Sequence, residues 1–206
     1  MGAGNQQERP VGAMRLRREL TPDYISGFVD GEGCFCVSIR RHPSAPHGWF
    51  MQPTFQVYQH ECNAGILEGL REYFGCGHLS HKGPNSSVMT YSVYARRDLV
   101  GRIVPFFDEH PLVSMKQVDC ERFREVLLRM VRKEHLDPAG FDEIVRIAFE
   151  MNAHGKQRKY HLDDVLIGIL RDCTPGASRS DVKIQSEPHG DMGSWTEMIQ
   201  PALVQR

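Results

Sequence analysis

No stretch of the chain approaches the roughly 20 consecutive apolar residues that a membrane-spanning helix requires, so no membrane segment is expected. The first residues carry Arg15, Arg17 and Arg18 but lack the apolar core of a secretory leader, and the expected location is cytoplasmic. Of the six cysteines, Cys34, Cys36, Cys62, Cys76, Cys120 and Cys173, none forms a C-x-x-C pair, and they scatter over unlike segments. Reduced thiols are therefore expected in place of a disulfide framework or a zinc site. His42, His47 and His60 fit no ligand spacing either. An excess of positive charge is also missing: 25 Lys and Arg stand against 26 Asp and Glu, a formal net charge of -1. Charge alone would not suggest nucleic acid, because neutralising phosphates with Lys and Arg normally supplies much of such affinity. The balance is uneven, however. Arg15 to Arg18 and Lys156 to Lys159 are locally basic, whereas acids gather around Glu121, Asp142 and Asp163, so a basic face with an acidic back fits the same total.

What is present suits one core: 206 residues, 40% of them hydrophobic. Residues 1–19 are polar and aperiodic and read as a flexible arm; residues 173–206, rich in Ser, Gly, Pro and Asp, read as a disordered tail; the domain is expected over 20–172. Thr21-Pro22-Asp23 combines an N-cap residue, a first-turn proline and an acid at the positive end of the dipole, predicting a helix from Pro22 to about Asp30. Cys34 to Arg41 alternates as a strand, with Phe35, Val37 and Ile39 on one face. Met51 to Tyr58 alternates again, Met51, Pro53, Phe55 and Val57 facing one way. Ile66, Leu67, Leu70, Tyr73 and Phe74 recur at helical spacing until Gly75 and Gly77. Short strands near His78–His81 and Val88–Tyr94 follow, then helices over about Arg97–Phe107, Met115–Arg132, Ala139–Met151 and Leu162–Leu170. The order predicts an α+β fold in which four strands form one antiparallel sheet, apolar on its helix-covered side. Its other side is polar, with Ser38, Arg40, Gln52, Thr54, Gln56, Lys82 and Thr90 as donors and acceptors suited to base edges and phosphates.

The most informative stretch is Tyr24-Ile25-Ser26-Gly27-Phe28-Val29-Asp30-Gly31-Glu32-Gly33. Gly27 and Gly31 lie four apart, on one helix face, and each glycine costs a helix about 1 kcal/mol relative to alanine. Close approach of a second helix offsets such a cost. If that helix is a symmetry copy, the two Glu32 carboxylates meet near the two-fold axis, where they repel unless cations lie between them. Mg2+ prefers oxygen ligands and retains water for phosphate chemistry, which fits such a place.

This segment resembles the LAGLIDADG motif of homing endonucleases, Ile25 to Gly33 matching its nine positions, and the element order is similar to the family's αββαββα core with a saddle-shaped sheet and C-terminal helices. The resemblance covers roughly Leu20 to Asp172. It implies a site-specific, Mg2+- or Mn2+-dependent DNA endonuclease that makes a double-strand break in a long pseudo-palindromic double-stranded target, encoded in an intron or intein. With one motif per chain it implies a homodimer, whose interface would include Ser26, Gly27, Asp30 and Gly31. By position Glu32 corresponds to the metal-binding acid, with the Gly31 carbonyl as a further ligand; Gln59 to the polar residue that arranges the attacking water; and Lys116 to the cation that stabilises charge at the scissile phosphate. A basic residue often found a few places after Gln59 falls here on Asn63, which leaves its role unfilled or taken by His60. Ser38, Arg40, Gln52, Thr54, Gln56, Ser80 and Lys82 are the implied sheet contacts to DNA, and Lys156, Arg158 and Lys159 the implied backbone grips. An organellar gene would place the protein in an organelle matrix. Two other classes share these residues: a non-cleaving DNA-binding protein or intron RNA-splicing maturase of the same fold, and an unrelated domain that dimerises through the glycine face. By spacing alone Asp30 and Glu32 would be a solvated helix end, Gln59 and Lys116 surface residues, and the polar strand faces a wet sheet surface.

Overall fold

The computed structural model describes residues 19–152 and 158–166. Helix α1 spans Pro22–Glu32, and Thr21 Oγ1 accepts from the Tyr24 amide, as its N-cap position predicts. The chain passes directly into β1, Gly33–Arg41, turns through a short 3-10 helix at Pro46–Gly48, and returns as β2, Trp49–His60. A second 3-10 turn, Glu61–Asn63, leads into α2, Ala64–Phe74. Gly75 closes α2 in the left-handed region at φ 61°, where a side chain would be strained, and Arg102 donates to the carbonyls of Phe74 and Gly75 at 2.8 and 2.7 Å.

Strands β3, His78–His81, and β4, Val88–Val93, complete a sheet of order β1-β2-β4-β3 in which every pair is antiparallel. Pro53 stands in β2 opposite Val37, but β4 pairs only with Phe55–His60, so the proline lies where β2 has one neighbour and a missing N–H is tolerated.

The predicted helix near 97–107 is interrupted. It begins as α3, Arg96–Asp98, widens into a π turn at Leu99–Ile103 and closes as α4, Val104–Glu109. Pro105 explains the widening: it has no N–H for the Gly101 carbonyl four residues back, and its ring would press on that group. Helix α5, Lys116–Val131, a 3-10 turn at Glu134–Leu136, and α6, Pro138–Glu150, follow; residues 162–166 are helical as well. Asp137 caps α6 through the amides of Ala139 and Gly140.

All the helices lie on one side of the sheet. Phe35 is the hub of the core, its ring centroid 5.2 Å from Phe55, 5.3 Å from Phe107 and 5.5 Å from Phe123, so one residue ties β1 to β2, α4 and α5. Ile25, Val29, Leu67, Leu70, Leu99, Ile103, Val126 and Leu127 complete the layer and are buried. Each such side chain contributes about 1.5–3 kcal/mol by leaving water. The domain is the predicted α+β arrangement. Residues 1–18 of the expected arm 1–19, the expected tail 173–206, Lys156 and residues 167–170 of the last predicted helix lie outside the described residues.

Candidate active site and nucleic-acid interface

Glu32 is the last residue of α1, and its side chain is exposed, with no hydrogen bond or ion pair among the described residues. Helix C-termini leave carbonyls without partners and carry the negative end of the dipole. α1 has no basic residue of its own in its last turn. Lys116, at the start of α5, supplies the missing cation: its Nζ donates to the carbonyls of Val29 at 3.0 Å, Asp30 at 2.8 Å and Gly31 at 3.4 Å. Partial burial pushes the Lys116 ammonium below the ordinary lysine range, while Asp30, Cys34 and Glu32 pull it the other way.

Asp30 answers from α1. Its carboxylate accepts from the amides of Val113 at 3.3 Å and Ser114 at 3.0 Å and from Ser114 Oγ at 2.5 Å, and Ser114 Oγ in turn accepts from the Lys116 amide at 3.1 Å. α1 and α5 thus cap each other. Ser26 Oγ donates to the His110 carbonyl at 2.9 Å. Ser26 and Asp30, expected at a dimer interface, therefore have their side chains engaged by residues 110–114 of their own chain, because they lie one face around the helix from the glycines. Gly27 and Gly31 are the open part of that expectation. A Cβ at either would meet nothing within 4 Å, whereas one at Gly33 would lie 2.6 Å from Val29 Cγ1 and 2.7 Å from the Val29 carbonyl oxygen. Gly33 is required by the protomer's own fold; Gly27 and Gly31 are not.

Gln59 lies near the end of β2, in the strand where Val57 pairs with Gly33, the residue after Glu32. Its Oε1 accepts from the His60 amide at 2.8 Å, and strand alternation puts its side chain on the Val57 side of the sheet. His60, on the polar side, is exposed with Nδ1 3.1 Å from Cys62 Sγ. Asn63 makes no side-chain cap at the start of α2. Cys34 adjoins the Lys116 ammonium. The neighbouring Cys36 thiol and that nearby charge lower the Cys34 thiol against the effect of burial, and Cys34 and burial push the Cys36 thiol up.

The β1–β2–β4–β3 register sets the polar side of the sheet as a grid. Ser38 stands opposite Gln52, Cys36 opposite Thr54, Cys34 opposite Gln56 and then Ser92 and His78, and Tyr58 opposite Thr90 and Ser80. Ser38, Arg40, Ser80 and Lys82 are exposed, and Gln52 is partly so. Thr54 is a correction. It is only 8% exposed, its hydroxyl pointing to the Gln52 carbonyl at 3.5 Å, since a short side chain sits below the two glutamines that flank it on the same face. Gln56 is partly committed, accepting from Tyr58 Oη at 2.7 Å and donating to Ser92 Oγ at 3.3 Å. Tyr58, His78 and Phe50 share this side, partly exposed, and were missing from the predicted contacts, whereas Thr90 and Ser92 share it but are buried.

The structure also separates the charges. On the helices, Arg129 pairs with Glu125 and Glu134 at 3.0 Å each and with Glu143, Arg146 pairs with Asp142 at 2.8 Å, and Arg122 with Glu150 at 3.1 Å. On the polar side of the sheet, Arg40 lies over Phe50 at 4.7 Å and Lys82 over Tyr58 at 5.1 Å, and neither has a carboxylate partner among the described residues. The net charge of -1 therefore conceals a sheet surface whose cations are unneutralised. Arg158 is a second correction to the predicted contacts. Its guanidinium donates to the carbonyls of Ala148 and, at 3.0 Å, Met151, and lies over Phe149 at 4.5 Å. α6 has no basic residue in its last turn, and Arg158 is spent on that end. Lys159 is exposed, 5.5 Å over the Tyr160 ring.

As for a metal, no cluster of three or more His, Cys, Asp or Glu side chains is present among the described residues. At this end of α1, among the described residues, the Glu32 carboxylate stands unpaired beside the Gly31 carbonyl, an oxygen donor set that suits a hard divalent cation only when completed by water, phosphate or a second protomer.

Residues 25–127 match the profile of the LAGLIDADG endonuclease family. Homing endonuclease I-ApeII of Aeropyrum pernix is 26% identical over 151 residues, which is 71% of this chain and 89% of that protein. Probable intron-encoded endonuclease 3 of Neurospora crassa is 31% identical over 133 residues, 65% of this chain and 25% of that protein. The chain thus spans about a quarter of the length of the long fungal relatives, 25% and 29% for two of them. Among solved structures, the homing endonuclease I-TnaI superposes with a TM-score of 0.66 at 36% identity, covering 74% of this chain and 99% of that one. The archaeal intron-encoded homing endonuclease I-Vdi141I, solved in complex with DNA, superposes with a TM-score of 0.68 at 29% identity, covering 73% and 94%. With the motif, the four-stranded sheet and these likenesses in agreement, the chain belongs to the LAGLIDADG endonuclease family.

Proposed function

We propose that the chain is a site-specific homing endonuclease that acts as a homodimer on double-stranded DNA, hydrolysing one phosphodiester per strand with Mg2+ or Mn2+. The observation that carries this reading is the unpaired Glu32 carboxylate at the end of a helix whose outward glycines have no reason within the protomer to be glycine. Two such helices packed glycine to glycine bring two Glu32 carboxylates together, and a divalent cation between them would supply a Lewis acid and an activated water. Glu32 and the Gly31 carbonyl are the protein groups that would hold it. Lys116 is fixed at the same helix end, where its ammonium offsets charge on a phosphate drawn up to Glu32. Gln59, at the end of β2, is the polar group that would orient water, and His60, on the opposite side of the strand, would stand in for the basic group absent at Asn63. Arg40, Lys82, Ser38, Ser80 and Gln52 form the DNA-facing surface, and Lys159 is the remaining described cation of the basic loop. The protein then works in the compartment that holds the intron-bearing genome, the cytoplasm or an organelle matrix.

The test compares the wild type with Glu32→Gln on a duplex carrying the intron-free allele of the host gene, with Mg2+ or with EDTA. Cleavage of both strands by the wild type in Mg2+ alone, with binding but no cutting by the variant, is the expected outcome. Tight binding of that duplex or of intron RNA by both proteins, with no cutting by either, replaces this reading with a maturase or regulator.

A further inference from the structure

We infer that the 113–115 turn is the second half of the surface through which two copies of this chain pair. The inference rests on the homodimer reading and adds to it a region outside the motif. α1 presents Tyr24, Gly27, Phe28 and Gly31 along one face, without a charge, and Tyr24 stacks on Phe28 with ring centroids 6.0 Å apart. Beside the C-terminal end of that helix stand Val113 and Met115, 96% and 79% exposed.

A lone exposed apolar residue is ordinary. These two differ in that the backbone between them is fixed: the amides of Val113 and Ser114 donate to Asp30 at 3.3 and 3.0 Å, and the next side chain, Lys116, reaches the Gly31 carbonyl at 3.4 Å. Bonds to the C-terminal end of α1 therefore fix the backbone from which both side chains project into water.

Area identifies the occupant. α1 has 11 residues, about 16 Å of helix at 1.5 Å per residue and roughly 10 Å across, so its outward strip offers only a few hundred Å². A stable, specific interface needs about 800 Å² from each partner. The glycine face falls short alone, and Val113 and Met115 are the exposed large apolar side chains that the Asp30 and Lys116 bonds tie to its Gly31 end. A two-fold pairing of α1 with its copy is isologous, so both copies of the turn enter the same interface, and the occupant is a second copy of this chain.

Sedimentation velocity on the full chain across a range of concentrations, without DNA, tests this. The comparison uses wild type, a Val113→Ser/Met115→Ser double variant that removes apolar surface without adding charge, and Gly27→Arg, which blocks the helix face. The double variant is expected to raise the dimer dissociation constant about tenfold or more, which corresponds to 1.4 kcal/mol. Its urea midpoint at concentrations where the protein is monomeric should not move, because neither side chain contributes to the core. If Gly27→Arg separates the protomers and the double variant leaves the dissociation constant unchanged, the turn has no part in pairing while the homodimer reading stands. A wild type that stays monomeric at every concentration overturns both.

Discussion

Glu32 and Lys116 hold opposite charges at one helix end, which makes their substitutions separable. Glu32 is a negative charge at the negative end of α1 with no partner among the described residues, so Glu32→Gln should raise stability slightly, by about 0.3–1 kcal/mol in urea denaturation. The same change should abolish cleavage. Lys116→Met leaves three carbonyls without their donor and should cost about 1–2 kcal/mol together with activity. A Glu32→Gln protein that is destabilised would mean the carboxylate has a structural partner. Both residues were singled out because their positions match the family's pattern; spacing alone reads Glu32 as a solvated helix end and Lys116 as a surface lysine. Arg158 was not, since a loop cation's choice between a phosphate and a nearby helix end depends on where α6 stops in space. Thr54 was misplaced for a related reason: alternation assigns a face, but not the depth of a side chain within it.

Within α1 the glycines divide by the reason for each. Gly33→Ala drives a Cβ against the Val29 backbone and side chain at 2.6–2.7 Å and should cost about 1–3 kcal/mol in any assembly state. Gly27→Ala has free space around it and should stabilise the isolated protomer by up to about 1 kcal/mol, from helix propensity, while weakening association. Denaturation at concentrations below and above the association range reads the two effects separately. A loss of protomer stability in Gly27→Ala would show that the open face is filled from within the chain. Among the elements, α1, β1, β2, α2, β3, β4, α5 and α6 announce themselves by caps, alternation and glycine stops. The π turn at Leu99–Ile103 does not, because the pattern of apolar residues there is helical either way and only the distance from Pro105 to its missing partner marks it. The connection between β1 and β2 was also opaque: His47 adopts φ 58° and buries its ring against Phe141, a fit that local sequence does not encode.

At the scale of the molecule, the counts of charged residues could not say which cations are neutralised; the fold decides it by giving the helix arginines acidic neighbours and the sheet cations aromatic ones. The β1–β2 connection is tied to the helical side at one point, where His47 Nε2 lies 3.2 Å from the Leu136 carbonyl, beside His135. His135 Nδ1 is buried without a partner, and burial, with Arg96 and His47 nearby, pushes the ring down to about 4 from its ordinary 6.5. The native state thus keeps His135 neutral at pH values where the unfolded chain protonates it. Between about 6.5 and 4 the unfolded state binds more protons, so stability falls as pH drops through that window and is level for this group above it. Glu134, whose carboxyl Arg132 holds below the ordinary value of 4.5, adds its own acid loss from about 4.5 downward, within the lowest part of that window and below it. Urea midpoints at pH 7.5, 6 and 5 should therefore decline in the wild type, and His135→Asn, which has no titrating ring, should flatten the decline over the same interval. An equal slope in both proteins would assign the loss to other groups and leave the His47–His135 junction without a part in the acid sensitivity of the fold.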